Sequence, residues 1–461
     1  MGDDAFGQLR AALAEHGQEQ LLRFWDDLDG DGRARLERDL RALDLDLLDE
    51  LVVTLVQDAQ PPIDVEGLEP ALPAPPPSPQ DIAEGEAALR RGKVAVVIVA
   101  GGQGTRLGFD GPKGSYPIGP VTDRSLFQIH CEKIAALGVR HGRTPPLYVM
   151  TSDENHEATD RFLAEHRRFG LPHLKLFRQG TMPAVAASTG AVLLAERDRV
   201  ALSPDGHGGT LRALERGGCL DDMGDHGVDT VFYLQVDNPM VAIADPGFVG
   251  AHRRAGADVS SKVVRKRDPA EKVGVVAERR GRQLVIEYSD LPASLADMRR
   301  ADGSLAYSAG SIALHVFRLG FVANLARSAE LPFHRARKQV PYVDEHGNRV
   351  EPVLANAIKF EQFIFDTLPL ARRSLIIETS RTAEFEPLKN ATGSSSPESV
   401  RRRLSDAAAD LLEAVGAVVA RRTDGSAAVP IELSPLIAAD PADLRARVPP
   451  GTVIDRPVTI S

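Results

Sequence analysis

Between Val94 and Lys113 the sequence VAVVIVAGGQGTRLGFDGPK joins an apolar, β-branched run to a glycine-rich loop carrying two cations, Arg106 and Lys113. This is chemistry for phosphate. Ala100, Gly101, Gly102 and Gly104 leave the backbone bare enough to turn sharply and bring N–H groups close to an anion. A second candidate is Asp237, which ends the apolar run Thr230 to Val236 in Gln235-Val-Asp-Asn238. A carboxylate there can hold Mg²⁺, a cation that takes few protein oxygens and fills its remaining positions with phosphate and water. Gly206 and His207 lie in Ser203-Pro-Asp-Gly-His-Gly-Gly209, a turn by residue type whose glycines would let backbone groups read a base edge or a hydroxyl. The Gln179 amide both donates and accepts, and Glu287 with Tyr288 offer a carboxylate and a phenol, groups that can bond a polar ligand. Taken singly each has a plainer reading: a surface charge for Arg106 and Lys113, a turn cap for Asp237, an exposed loop amide for Gln179, a core ring for Tyr288.

The elements around these residues follow from hydrophobic pattern. Residues 5 to 57 carry leucines at helical spacing, giving a helical N-terminal segment. Within it Asp27, Asp29, Asp31 and Gly32 imitate the start of a calcium loop, but its twelfth position is Arg38, so the expectation is an acidic helix–helix turn. The proline-rich stretch before Pro79 predicts an extended connector, and Ser78-Pro79 caps a helix through about Arg91. From Lys93 onward, strand-like runs (147–151, 174–177, 230–236) alternate with helix-like ones (126–137, 155–168). That alternation predicts an α/β fold with a mixed, mostly parallel sheet, its ligands at the carboxyl ends of the strands. A Ser-Pro-capped helix from Pro397 and short strands after Val418 predict a small mixed C-terminal domain. The domain organisation expected is 1–92 helical segment and connector, 93–385 catalytic domain, 386–461 C-terminal domain.

Bulk properties exclude several classes. A formal net charge of −10 argues against nucleic acid or an anionic membrane as partner. The acidic N-terminus has no secretory pattern and no run reaches the length of a membrane span, so the expected setting is cytoplasmic. The two cysteines, Cys131 and Cys219, are too few for a disulfide framework.

Two well-known glycine loops do not fit. A dinucleotide fingerprint requires its third glycine earlier than Gly108, and a Walker loop cannot accept Pro112 before its lysine. Gly-Gly-x-Gly-Thr-Arg-Leu-Gly followed by Pro-Lys resembles instead the signature loop of nucleotidyltransferases that join a sugar 1-phosphate to a nucleoside triphosphate. With Ser203 to Gly209, Gln235 to Asn238, Ile286-Glu-Tyr-Ser289, Gln179-Gly180, Pro387-Leu-Lys-Asn390, Phe24-Trp25 and Ile431 to Leu436 in order, the chain resembles the eukaryotic-type UDP-N-acetylglucosamine pyrophosphorylases nearly end to end.

The resemblance implies a Rossmann-like nucleotidyltransferase domain that makes UDP-sugar and pyrophosphate from UTP and N-acetylglucosamine 1-phosphate or a related sugar 1-phosphate, with Mg²⁺. It implies catalytic Arg106, Lys113 and Lys389, and nucleotide contacts from Ala100, Gly101, Gly102, Gly104, Thr105, Gln179 and Gly206. It further implies sugar contacts from His207, Asp237, Gly274, Glu287, Tyr288, Ser308 and Ser311, with Asp237 as the metal ligand. Departures fall on the sugar side: His207 stands where the family usually has Asn, and Ser308 and Ser311 replace longer amides. Gly274 in Lys272-Val-Gly-Val-Val276 keeps the small residue that the family has beside the acetamide. The alternatives are a UTP–glucose-1-phosphate uridylyltransferase and a non-catalytic nucleotide-sugar-binding relative.

Overall fold

A computed structural model describes residues 3–57, 64–328, 331–438 and 441–461. The chain divides into two compact units, one formed by Met1–Asp64, Gln179–Thr210 and Glu330–Asp366, the other by Val65–Arg178, Leu211–Ala329 and Thr367–Ser461. This differs from the three consecutive segments expected. The reason is a shared core: Leu13, Leu36 and Leu48 of the N-terminal helices cluster with Val185, Val192, Val200, Ile358 and Phe360, residues far away in sequence. A shift in composition along the chain cannot reveal such a partnership.

In the first unit, helices α1 (Asp3–Glu15), α2 (Gly30–Arg41) and α3 (Leu45–Leu51) present their leucines to this core. The calcium-like stretch is a helix start. Asp29 is the N-cap of α2 and its Oδ1 accepts from the Gly32 N–H at 2.7 Å. Strand Ala357–Gln362 pairs antiparallel with Phe333–Lys338 and with Val185–Ala186 to complete the unit.

The second unit is built on one large sheet. Its strands are β1 (Leu68–Pro70), β2 (Val94–Val99), β3 (Leu147–Thr151), β4 (Leu174–Arg178), β5 (Thr230–Gln235), β6 (Val259–Arg265), β7 (Val275–Arg279), β8 (Arg282–Ile286), β9 (Ala309–Arg318) and β10 (Ser374–Glu378). The main order is β1-β7-β9-β5-β2-β3-β4, with β8 on β7, and β6 joining β9 to β10. The run β5-β2-β3-β4 is parallel, as is β6-β10, whereas β9 and β7 pair antiparallel with their neighbours, so the sheet is mixed. Val94 to Ile98 and all of β3 are buried, as strands covered on both faces must be.

Helices α4 (Pro79–Arg90), α5 (Leu126–His141), α6 (His156–Glu165), α7 (Cys219–Asp225), α8 (Pro246–Ala255) and α9 (Pro397–Ala414) belong to the same unit. Ser78 and Asp81 form a reciprocal capping box at the start of α4. Against it, α8 comes so close that a Cβ on Gly85 would fall on the Pro246 carbonyl and one on Gly250 on the Asp81 carbonyl. The connector before α4 is extended, with the Ala74 N–H donating to Ile376 at 2.8 Å. Beyond α9, short parallel pairs (418–419 with 453–454, 431–433 with 458–460) surround a separate small apolar cluster. Among the described residues no helix is long and apolar enough to cross a membrane.

Candidate functional site

The loop after β2 is closed on itself like a small hairpin. The Gly104 N–H donates to Gly111 at 2.9 Å, and the Lys113 N–H to Gly102 at 3.0 Å. The Ala100 N–H is bonded to Met150 at 2.8 Å and that of Gly104 to Gly111, so these two N–H groups are engaged within the protein. The N–H groups of Gly101, Gly102 and Gln103 make no hydrogen bond among the described residues and are the ones left for an anion. Thr105 and Arg106 are exposed in the 3₁₀ turn Thr105–Leu107. A residue missed from the sequence pins this loop. Asn155, fully buried before α6, donates its amide to Ala100 at 2.8 Å and Gly102 at 3.2 Å, and accepts from the Ser152 N–H at 2.9 Å. The signal for it was an asparagine in a βα loop at the ligand-bearing edge.

Beside this loop, β5 runs parallel to β2 and delivers Asp237 to the same sheet edge. Asp237 is 8% exposed, and its Oδ2 lies 3.8 Å from Nζ of Lys113. Capping at this turn is done by the next residue: Oδ1 of Asn238 accepts from Met240 at 3.2 Å and Glu386 at 3.3 Å. The Asp237 carboxylate accepts no hydrogen bond among the described residues, so its oxygens remain available to a cation. Its carbonyl accepts the Leu388 N–H at 2.8 Å, which brings the following residue, the exposed Lys389, to this strand end.

Buried groups hold the turn from behind. Burial pushes the His130 imidazole down to about 3, so the neutral ring donates from Nε2 to the Val236 carbonyl at 2.9 Å. Lys133, lowered to about 8 by desolvation, donates to the carbonyls of Val241 at 2.9 Å and Pro239. The Asn238 amide donates to the Glu384 carbonyl at 2.7 Å, and the Glu384 carboxylate meets the buried Lys262 ammonium at 2.5 Å. Lys262 also meets Asp245 at 3.1 Å. A cavity of about 470 Å³ lies against Pro239 to Ile243, lined by Lys133, Leu404 and Leu411 among others, and its lining does not include Asp237, Lys113 or Arg106.

The expected sugar contacts in this unit partly converge. The Ser311 N–H donates to the Gly274 carbonyl at 2.8 Å, and Gly274 and Glu287 each adjoin the Val275–Ile286 pair that ends the β7–β8 ladder. A Cβ on Gly274 would come within 2.9 Å of Val285 Cγ1, so glycine is what lets the Val285 side chain pack there, with Glu287 Oε1 at contact distance, 3.4 Å. Beside Ser311, β9 bulges against β6 and Ala313 takes φ of +54°, a left-handed conformation costly for alanine. Sequence gave no sign of this bulge. Tyr288 is 48% exposed rather than core, and neither its side chain nor that of Ser308 hydrogen-bonds to this group among the described residues.

Gln179, Gly206 and His207 belong to the first unit. The Gln179 amide donates to the Gly206 carbonyl at 2.7 Å, while its Oε1 has no partner among the described residues. Gly206 has φ of +85°, and a Cβ there would strike the Gln362 carbonyl. The His207 ring stacks on Phe363, its Nδ1 accepting the Ile364 N–H at 3.1 Å, so much of this side chain is occupied in holding strand to turn.

The model of the UTP–glucose-1-phosphate uridylyltransferase family matches residues 53–399 of the chain. The chain is 40% identical over 427 residues to UDP-N-acetylhexosamine pyrophosphorylase-like protein 1 of Homo sapiens, spanning 86% of this chain and 83% of that one. It is 39% identical over 345 residues to the UDP-N-acetylglucosamine pyrophosphorylase of Saccharomyces cerevisiae, 72% of each chain. Among solved structures, the uridine diphosphate N-acetylglucosamine pyrophosphorylase from Trypanosoma brucei, crystallised with an inhibitor, superposes with a TM-score of 0.79 at 27% identity over 99% of each chain. These relatives, with the α/β fold, define a nucleotidyltransferase. The chain belongs to the UTP–glucose-1-phosphate uridylyltransferase family, in its UDP-N-acetylglucosamine pyrophosphorylase branch.

Proposed function

We propose that this chain joins UTP to N-acetylglucosamine 1-phosphate, releasing pyrophosphate and forming the UDP-sugar. The observation that carries the reading is the meeting of Lys113, Asp237 and the Leu388-Lys389 backbone at the carboxyl ends of β2 and β5, where ligands bind in such sheets. In this reading a phosphate oxygen of the sugar 1-phosphate attacks the α-phosphorus of UTP in line, and no protein nucleophile takes part. The protein positions the phosphates and neutralises their charge. Arg106 and Lys113 hold the triphosphate and the departing pyrophosphate, with N–H groups of Gly101 and Gly102 beside them. Lys389 faces the sugar or α-phosphate.

Asp237 is the residue that would hold Mg²⁺. One carboxylate, free of hydrogen bonds and sharing its cation with substrate phosphates, is the donor set this ion accepts. When bound, the ion supplies charge neutralisation at phosphate. Gln179, through its unengaged Oε1, accepts the uracil imide N–H, and Gly206 sets the turn that aims it. Glu287, which lies beside Gly274, accepts sugar hydroxyls. A cytoplasmic setting belongs to the same reading, supported by two cysteines kept as buried thiols.

The test is a matrix of UTP and dTTP against the 1-phosphates of N-acetylglucosamine, N-acetylgalactosamine and glucose, read by pyrophosphate release. UTP with an N-acetylhexosamine 1-phosphate gives the highest kcat/KM. A glucose preference overturns the sugar assignment, a preference for dTTP overturns the base assignment, and no release with any pair overturns catalysis.

A further inference from the structure

At the opposite edge of the large sheet, where strands begin rather than end, His173, Asp222 and His226 converge. His173 immediately precedes β4, Asp222 lies in α7, and His226 is the residue that ends α7. One ligand-capable atom on each of the three lies within 4.8 Å of the others. The two rings meet edge-on, their centroids 4.6 Å apart. Nε2 of His173 is 3.1 Å from Oδ2 of Asp222, yet it is buried and makes no hydrogen bond, an arrangement that leaves a polar atom unsatisfied.

The atoms behind the three side chains are arranged as supports. The Tyr148 hydroxyl, on β3, donates to Asp222 Oδ2 at 2.6 Å and fixes the carboxylate. Nδ1 of His226 lies 2.8 Å from the Asp222 carbonyl, to which it can only donate, so the other ring nitrogen carries the lone pair. The nearby cation Lys175 is directed to the Gly218 carbonyl at 3.0 Å. Outer partners of this kind, on a carboxylate and on the second nitrogen of an imidazole, are what orient ligands in metal sites.

We propose that His173, Asp222 and His226 bind a divalent transition ion of the zinc class, clipping α7 to the beginnings of β3 and β4. Two imidazoles and one carboxylate form a borderline donor set that favours zinc over magnesium, with water completing a tetrahedral shell. No residue assigned to uridylyl transfer takes part, so the ion stabilises this edge of the sheet by mass action.

The experiment is titration of the chelator-treated full-length chain with Zn²⁺ alone, followed by calorimetry and thermal unfolding, with Mg²⁺ as the comparison. One equivalent binds and raises Tm, and Mg²⁺ does not reproduce the rise. His226→Ala, a change at a half-exposed side chain, and His173→Gln each weaken binding by roughly 100-fold or more, beyond the loss that follows removal of an outer partner. Co²⁺ in place of Zn²⁺ gives a tetrahedral visible spectrum in the native chain that His226→Ala abolishes, a readout that decides the matter if His173→Gln does not fold. Absence of one-to-one Zn²⁺ binding, or binding unchanged in His226→Ala, overturns the proposal.

Discussion

Lys113 Nζ stands 3.8 Å from Asp237 Oδ2, one side chain delivered by the loop after β2 and the other by the end of the neighbouring parallel strand. The pair is close enough to attract and too long to be a tight hydrogen bond, so substrate phosphate and a cation can enter between partners that already face each other. Lys113→Ala is expected to lower kcat by roughly 100- to 1,000-fold, the cost of losing one preorganised group on a developing charge. Asp237→Asn instead raises the Mg²⁺ concentration needed for half-maximal rate. Initial rates across a Mg²⁺ series at saturating UTP distinguish the two, and wild-type turnover in both variants would remove them from the site.

The sugar side is tested at Gly274. An alanine there brings its methyl to 2.9 Å from Val285 Cγ1, which must shift, and to 3.4 Å from the Glu287 carboxylate. Gly274→Ala should depress kcat/KM for N-acetylglucosamine 1-phosphate more than for glucose 1-phosphate, by roughly 10-fold in the ratio, while KM for UTP stays put. An equal loss with both sugars would mean that the acetamide lies elsewhere.

Much of this arrangement could be read from local pattern, because β2, β3, β4 and β5 are short apolar runs and helices α4 and α9 carry Ser-Pro caps at their starts. The place of the charged loop was legible for the same reason, since glycines after a buried apolar run mark a turn at the strand end. What pattern could not reach were relations across the chain. Asn155 looks like any helix-start residue until its amide is seen on the Ala100 carbonyl. Lys262 reads as a surface lysine within a strand, yet it is 2% exposed and neutralises two carboxylates. The antiparallel insertion of β9 between β5 and β6, with its bulge at Ala313, depends on pairing partners that alternation along the chain does not specify. The grouping of Gln179 to Thr210 with the N-terminal helices is lost to a linear reading for the same reason.

Acid should destabilise the second unit through two buried imidazoles. Burial lowers His130 to about 3 and His252 to about 4, from about 6.5 when unfolded. Below pH 6.5 the unfolded chain takes up protons that the folded chain refuses, so this stability is complete above 6.5 and falls as pH drops towards 4. Each histidine contributes a slope of roughly 1.4 kcal/mol per pH unit in that window. Denaturant unfolding at pH 7 and pH 5 measures it. His252→Gln, which can retain a hydrogen bond to Ser260, should lose less stability between the two than the unaltered chain does. An identical loss would show that His252 is not buried in its neutral form.

The turn that carries Asp237 depends on a buried charge on another strand. Glu384 uses its carbonyl to hold the Asn238 amide and its carboxylate to meet Lys262, which in turn meets Asp245. Lys262→Met keeps the volume but leaves the largely buried Glu384 carboxylate without its counter-charge, held only by the Thr379 hydroxyl and the Ala242 N–H, at a cost of about 3–5 kcal/mol. Replacing Glu384 by Gln in the same chain removes one stranded charge and leaves the carbonyl in place, so Lys262→Met/Glu384→Gln should recover part of the lost stability. The same pair separates stability from catalysis: with Asn238 still bonded to residue 384, the double variant should regain turnover towards the unaltered level at a temperature where both chains remain folded. If turnover stays low while stability returns, the ammonium of Lys262 matters to Asp237 through its field rather than through the geometry of the turn.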